Sequence, residues 1–385
     1  MTSHYGTQTE WNRFSENGLK KMSSLKKPAI MAIEGIPDWE KRLARVDAFW
    51  DRQILDRPVV CIYAPKIDHR YPRPADKTYA SQRDRWMDFE HLADRALADA
   101  MNREYLGDAL PQTFPNLGPE IFNAYLGMEL EFGESTSWSR PSLHEWSGLD
   151  AIAFDPANAY WRAINDLTDI LLAKGKGMFY TGLTDFHPGG DAAAAFRDPQ
   201  QFNIDLIESP DEVKRLVRKV TDLYFQVFDL SWERLRAAGQ AITSWPGIVS
   251  TRKWYVPSND FSCMVSPAMF NAFFLPGLIK ECRALEASIY HLDGVNALGH
   301  LDSLLEIKEL NAIQWVYGAG HGRASDWMPV YKRCQAAGKG LQMYLEPNEF
   351  DLFMEQLRPE GLFISTGVGS KEEGEALLRK VARWR

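Results

Sequence analysis

The sequence predicts an α/β protein folded as a (β/α)8 TIM barrel with an N-terminal helical extension. Three observations lead there. Apolar, strand-like runs alternate with amphipathic helical segments from Val59 to the C-terminus. Counting them gives about eight strands, the number that closes such a barrel. The first run, Val59 to Ala64, leads into Pro65-Lys66 with no glycine-rich phosphate loop, although an open doubly wound sheet would commonly carry one there.

Residues 1–30 are polar and lysine-rich without a clear period, and read as a flexible arm ahead of one barrel over residues 31–385. Trp39, Leu43, Val46, Phe49 and Trp50 keep helical spacing, and Pro58 ends that element. Val59 to Ala64 is continuously apolar, as a buried parallel strand is. A helix follows from Phe89 to Tyr105, then another from Trp161 to Ala173 that Gly175 and Gly177 terminate. Met178 to Leu183 is the next strand. Ser209-Pro210-Asp211-Glu212 opens a long helix to Ala238, with serine as cap, proline in the first turn and acids behind it. Ala241 to Trp245 is a strand. Pro267 to Leu285 is a helix in which Pro276 predicts a kink. The strands 289–291, 313–317, 341–345 and 361–365 then alternate with short helices, and Ser370 caps a last helix from Lys371 to Trp384.

Composition narrows the function. The net charge of −8 disfavours nucleic acid and anionic membranes, both of which select basic surfaces. No apolar run approaches the about 20 residues that span a bilayer, and the first residues carry no hydrophobic leader, so a cytoplasmic protein is expected. Cys61, Cys263, Cys282 and Cys334 form no CxxC pair, which predicts reduced thiols and argues against a cysteine-rich zinc site.

In a barrel the chemistry sits at the C-terminal strand ends. That rule selects Asp185, His187 and Asp191 after one strand, Trp245 and Asp260 after the next, and then His291 and Asp293. Trp315, Tyr317 and His321 follow, and finally Tyr344 and Glu346. His291 and Asp293 are two apart in an extended segment, so both face one side. Asp260 and Asp191 lie in turn-like sequence and are more simply read as loop formers. A histidine with two carboxylates suits a divalent ion, zinc first, with His291, Asp293 and Glu346 as ligands. Asp185, His187, Tyr317 and Asp260 are the candidates for proton handling. Trp245, Trp315, Tyr344 and His321 would contact the substrate.

The stretches Val265-Ser266-Pro267 through Pro276, Tyr290-His291-Leu292-Asp293-Gly294 and Ala312-Ile313-Gln314-Trp315 resemble the uroporphyrinogen decarboxylase superfamily, which includes corrinoid-linked methyltransferases. The resemblance runs over roughly residues 40–385 and implies a barrel with its site at the C-terminal mouth. The arginine-rich segment by which the decarboxylases hold a tetrapyrrole has no counterpart around Val60 to Lys66. The methyltransferases place His-x-Cys where this chain has His291-x-Asp293, and a second cysteine near Val368. Only His291 transfers directly, and Asp293 substitutes oxygen for sulfur. The resemblance thus implies a methyltransferase of small molecules with a divalent metal, and a corrinoid or corrinoid protein as partner. A homodimer stays open. Two alternatives remain at this point: a metal-free decarboxylase or lyase acting on a small organic acid, and a barrel that binds a ligand without turning it over.

Overall fold

A computed structural model describes residues 29–68 and 70–384; most of the expected N-terminal arm lies outside them. The chain is a mixed α/β protein with a central, mostly parallel sheet wrapped in helices. Among the described residues the strands are β1 (Val59–Pro65), β2 (Arg103–Gly107), β3 (Gln112–Thr113), β4 (Leu130–Phe132), β5 (Ser137–Ser139), β6 (Tyr180–Thr181), β7 (Trp254–Tyr255), β8 (Ala287–Asp293), β9 (Ala312–Val316), β10 (Gly340–Tyr344) and β11 (Leu362–Gly367). The main sheet runs β2-β1-β11-β10-β9-β8-β7. All its pairs are parallel except β1 with β2.

The first and last strands of the parallel run meet, with Val59 opposite Phe363 and Tyr63 opposite Gly367. A second, shorter parallel run stands apart from the main sheet. There β3 pairs with β6 in parallel, and Leu183 N–H donates to the Thr243 carbonyl at 2.8 Å. Gly182 permits that approach, because a methyl group on it would stand 2.5 Å from the Thr243 oxygen. Trp254 then reaches back through its Nε1 to the Ile242 carbonyl at 2.9 Å.

The largest core cluster draws on residues from Val46 to Trp384, and two smaller clusters gather around Tyr180 and around Leu171. Aromatics dominate it: Trp50 packs on Trp254 at 5.5 Å between ring centroids, and Phe186 packs on Tyr224 and Tyr255. No helix among the described residues is long and apolar enough to cross a membrane. The four cysteines are free thiols, Cys263 exposed and the others buried.

Several elements differ from the sequence expectation. The helix begun at Phe89 stops at Met101, and the chain turns at once into β2. The kink at Pro276 is a full break into the helices Pro267–Phe273 and Leu275–Ala284. Ser209 makes no capping hydrogen bond, although Pro210 does open the helix Pro210–Ala237. Of the expected strand 241–245 only a bridge between Ile242 and Ser250 is present. Among the helices not foreseen are two in succession, Gly189–Arg197 and Pro199–Glu208. The first carries the alanine run 192–195, which favours a helix. Asp198 caps the second by accepting from the N–H groups of Gln200 and Gln201.

Candidate active site

The site grows from the register of β7 and β8. Their pairing continues past β7 as a bridge between Ser258 and His291, and His291 N–H donates to the Pro257 carbonyl at 3.1 Å. This sets Asn259 and Asp260 beside His291 and Asp293. Asp191, in the first turn of the helix Gly189–Arg197, reaches the same place. Its carboxylate accepts from the backbone N–H groups of Asp260 at 3.1 Å and Phe261 at 2.8 Å. Gly190 makes room, since a methyl group there would fall 2.6 Å from the Asn259 side chain.

Two overlapping groups of donor atoms result, each within 4.8 Å: His187, Asp191 and Asp260, and Asp260, His291 and Asp293. Asp260 belongs to both. His187 stands at the centre of the first. Its Nε2 is 3.2 Å from Asp185, and its Nδ1 is 3.5 Å from Asp191 and 3.8 Å from Asp260.

The two imidazoles carry opposite character. Burial opposes charge on His187, but contacts with Asp185 and Asp191 outweigh it and raise the pKa well above the ordinary histidine range. His291 is lowered, first by burial, against the hydrogen bond it donates to Gln314. Neutral His291 donates from Nδ1 to the Gln314 Oε1 and so turns a free Nε2 lone pair toward the carboxylates. The Asp260 carboxyl is pushed up to about 7, first by removal from water and then by Asp191. Its side chain keeps 47% of its surface, so one side of the carboxyl still faces water. Trp245 closes one side, edge-on to His291 at 4.9 Å between centroids.

The expected site residues therefore divide. Asp185, His187, Trp245, Asp260, His291 and Asp293 come together. Glu346, expected as the third metal ligand, is in neither donor group: it lines a separate cavity of about 800 Å3 with Tyr63, Tyr317, Tyr344 and Ser365. Strand order says which strand end a residue occupies, and β10 lies two strands round the sheet from β8. Tyr317 and Tyr344, expected for proton handling and substrate contact, sit in that cavity too. Trp315 does not wall the site. It alternates with Gln314, whose side chain meets His291, and so faces the other side of the sheet, packed on Trp327 at 5.2 Å. His321 is exposed on the loop after β9, where its carbonyl accepts from Trp327 Nε1.

Sequence reasoning assigns no role to Gln314, Ser258 or Asn259. A signal was there: Gln314 and Gln342 each interrupt an otherwise apolar strand, and they are register partners in β9 and β10. Gln314 Nε2 and both polar side-chain atoms of Gln342 and of Asn259 are buried with no hydrogen-bond partner among the described residues. Buried polar atoms in that state mark a polar site rather than a packed core.

No family model matches the chain, and no curated protein matches it. Among solved structures, a methyltransferase from Methanosarcina mazei shares the fold with a TM-score of 0.57. The two are 12% identical, and the match covers 89% of this chain and 98% of that one.

Proposed function

We propose that this chain is a metal-assisted methyltransferase of small molecules, built on a closed (β/α)8 barrel of the uroporphyrinogen decarboxylase kind. Support for closure comes from the short run β3, β6 and Thr243, whose neighbour Ile242 accepts from Trp254 of β7. Support for methyl transfer comes from the shared fold with a methyltransferase. The observation that carries the reading is the pair of donor groups that meet at Asp260.

The donor set fits a divalent ion. It offers nitrogen and carboxylate oxygen, and the carboxylates crowd one another. His291, Asp293 and Asp260 would hold the ion, with Asp191 completing the set. A bound ion would supply a Lewis acid that orients a substrate heteroatom and lowers its pKa. Around it, Gln314 fixes the His291 tautomer, and Asp185 orients His187 to hold or deliver a proton. Trp245 excludes water from one side. Zinc is the first candidate metal, and a corrinoid protein the candidate methyl carrier. Decarboxylation without metal fits less well, because a reacting carboxylate would meet Asp191, Asp260 and Asp293 together.

Elemental analysis of protein purified without chelator tests this, alongside decay of methylcobalamin absorbance with a thiol acceptor. We expect bound divalent metal in the wild type. His291→Ala and Asp260→Asn should lose most of it at an unchanged melting temperature, because both residues stand at the mouth and not in the core. Metal-free wild-type protein that releases carbon dioxide from a supplied acid would replace the reading.

A further inference from the structure

A second cavity opens beside β2 and β3, at the end of β1 toward which the site lies. It encloses about 420 Å3, and Arg85, Arg95, Arg103, Gln112 and Asn116 are among its walls. Three guanidinium groups stand there against the carboxylates of Asp99 and Glu134. Asp99 is already paired with Arg73 at 3.2 Å. Arg85 is spent on neutral acceptors: it donates to Gln82 Oε1 and to the Gly133 and Glu134 carbonyls. Arg95 and Arg103 make no salt bridge or hydrogen bond among the described residues. The cavity thus holds uncompensated positive charge in a protein whose net charge is −8.

This cavity connects to the His/Asp cluster through contiguous side chains. The Arg103 guanidinium lies over the Tyr63 ring, 5.7 Å from its centroid. Gly247 lies against both Tyr63 and Gln112: a methyl group on it would stand 3.7 Å from the tyrosine hydroxyl and 3.5 Å from Gln112 Nε2. Two residues before it, Trp245 meets His291. The mouth is therefore electrically divided, with carboxylates on the β6 to β8 side and guanidinium groups on the β2 to β3 side.

Resting on the reading of this mouth as an active site, we propose that the arginine cavity binds the anionic group of a reactant, a carboxylate or a phosphate. Its reacting end then points across Trp245 toward His291. Anion and acidic cluster repel, so a reactant carrying negative charge can enter in one orientation only. Arginine favours such groups because its planar donors match two oxygens at once.

The test uses the full chain with its metal content recorded. Inorganic phosphate and succinate are titrated separately by calorimetry into wild type, into an Arg95→Gln/Arg103→Gln double variant, and into Arg379→Gln, which removes an exposed charge elsewhere. We expect saturable binding of at least one anion to wild type and to Arg379→Gln, weakened about tenfold or more in the double variant. The anion that binds identifies which of the two groups the reactant carries. Melting temperature and metal content should not change. The proposal is overturned if neither anion binds the wild type, or if the double variant binds as wild type does. Because metal content is read separately, loss of the anion site and failure of the metal-site reading are distinguishable.

Discussion

At the scale of single residues, the most heavily committed charge lies far from the mouth. Asp108 is fully buried, accepts from Arg45 and Arg57, and also takes the Val60 N–H at 2.9 Å. Asp108→Ala would strip the buried Arg57 guanidinium of its carboxylate and leave Arg45 with Asp56 alone. We expect a loss of about 3–5 kcal/mol in denaturant unfolding, larger than any surface charge change gives. Arg45 also binds Asp56 at 2.7 and 2.8 Å. That hydrogen bond, with Lys41 adding to it, holds the Asp56 carboxyl well below its ordinary range. A depressed folded-state pKa contributes stability above the unfolded value of 3.8, and the contribution fades as pH falls below it. Wild type should therefore melt higher than Asp56→Asn near pH 6, and the gap should shrink as both are taken toward pH 3. Residue reading found His291-x-Asp293 because a two-residue step in extended chain fixes a shared side, and Asp185 and His187 because they follow a strand end. It overvalued Glu346 because nothing in a strand-end position gives the angle around the mouth.

At the scale of elements, long amphipathic segments were legible and short ones were not. The helix Pro210–Ala237 announces itself by periodicity and a proline at its start. Strand β2 was invisible, because Arg103-Glu104-Tyr105 continues the polarity of the preceding helix. Its partner β1 decides it, pairing Tyr105 with Tyr63 and Leu106 with Ile62. Strand β6 is only two residues long, and its continuation depends on a close backbone approach at Gly182. Gly182→Ala should drive a methyl group against the Thr243 carbonyl and cost about 1–3 kcal/mol, measured as a shift in the urea midpoint. An unchanged midpoint would mean that β6 and the 241–244 segment can separate without penalty.

At the scale of the whole molecule, the largest hydrophobic cluster takes residues from both halves of the chain. The alternation from Val59 onward made the succession of strands and helices legible. What alternation could not show is that β2 runs antiparallel at the sheet edge. The division of charge across the mouth was equally hidden, since Arg95 and Arg103 sit more than 180 residues from His291 in sequence. Removing residues 361–385 takes away β11, which bonds to both β1 and β10. We expect the shortened chain to be aggregated or unfolded by circular dichroism rather than to retain a smaller folded domain.

The meeting of β1 with β11 also bears on how the protein is made. On the ribosome, β1 emerges about 300 residues before its parallel partner, so one edge of a strongly apolar strand must wait through most of synthesis. Pairings so distant in sequence are slow to form, and their unpaired strands invite aggregation. The antiparallel β2 follows about 40 residues after β1 and occupies its other edge, which leaves a single sticky side in nascent chains. Holding chaperones should therefore engage stalled chains that end between β2 and β11, and release them once the last strand has cleared the exit tunnel.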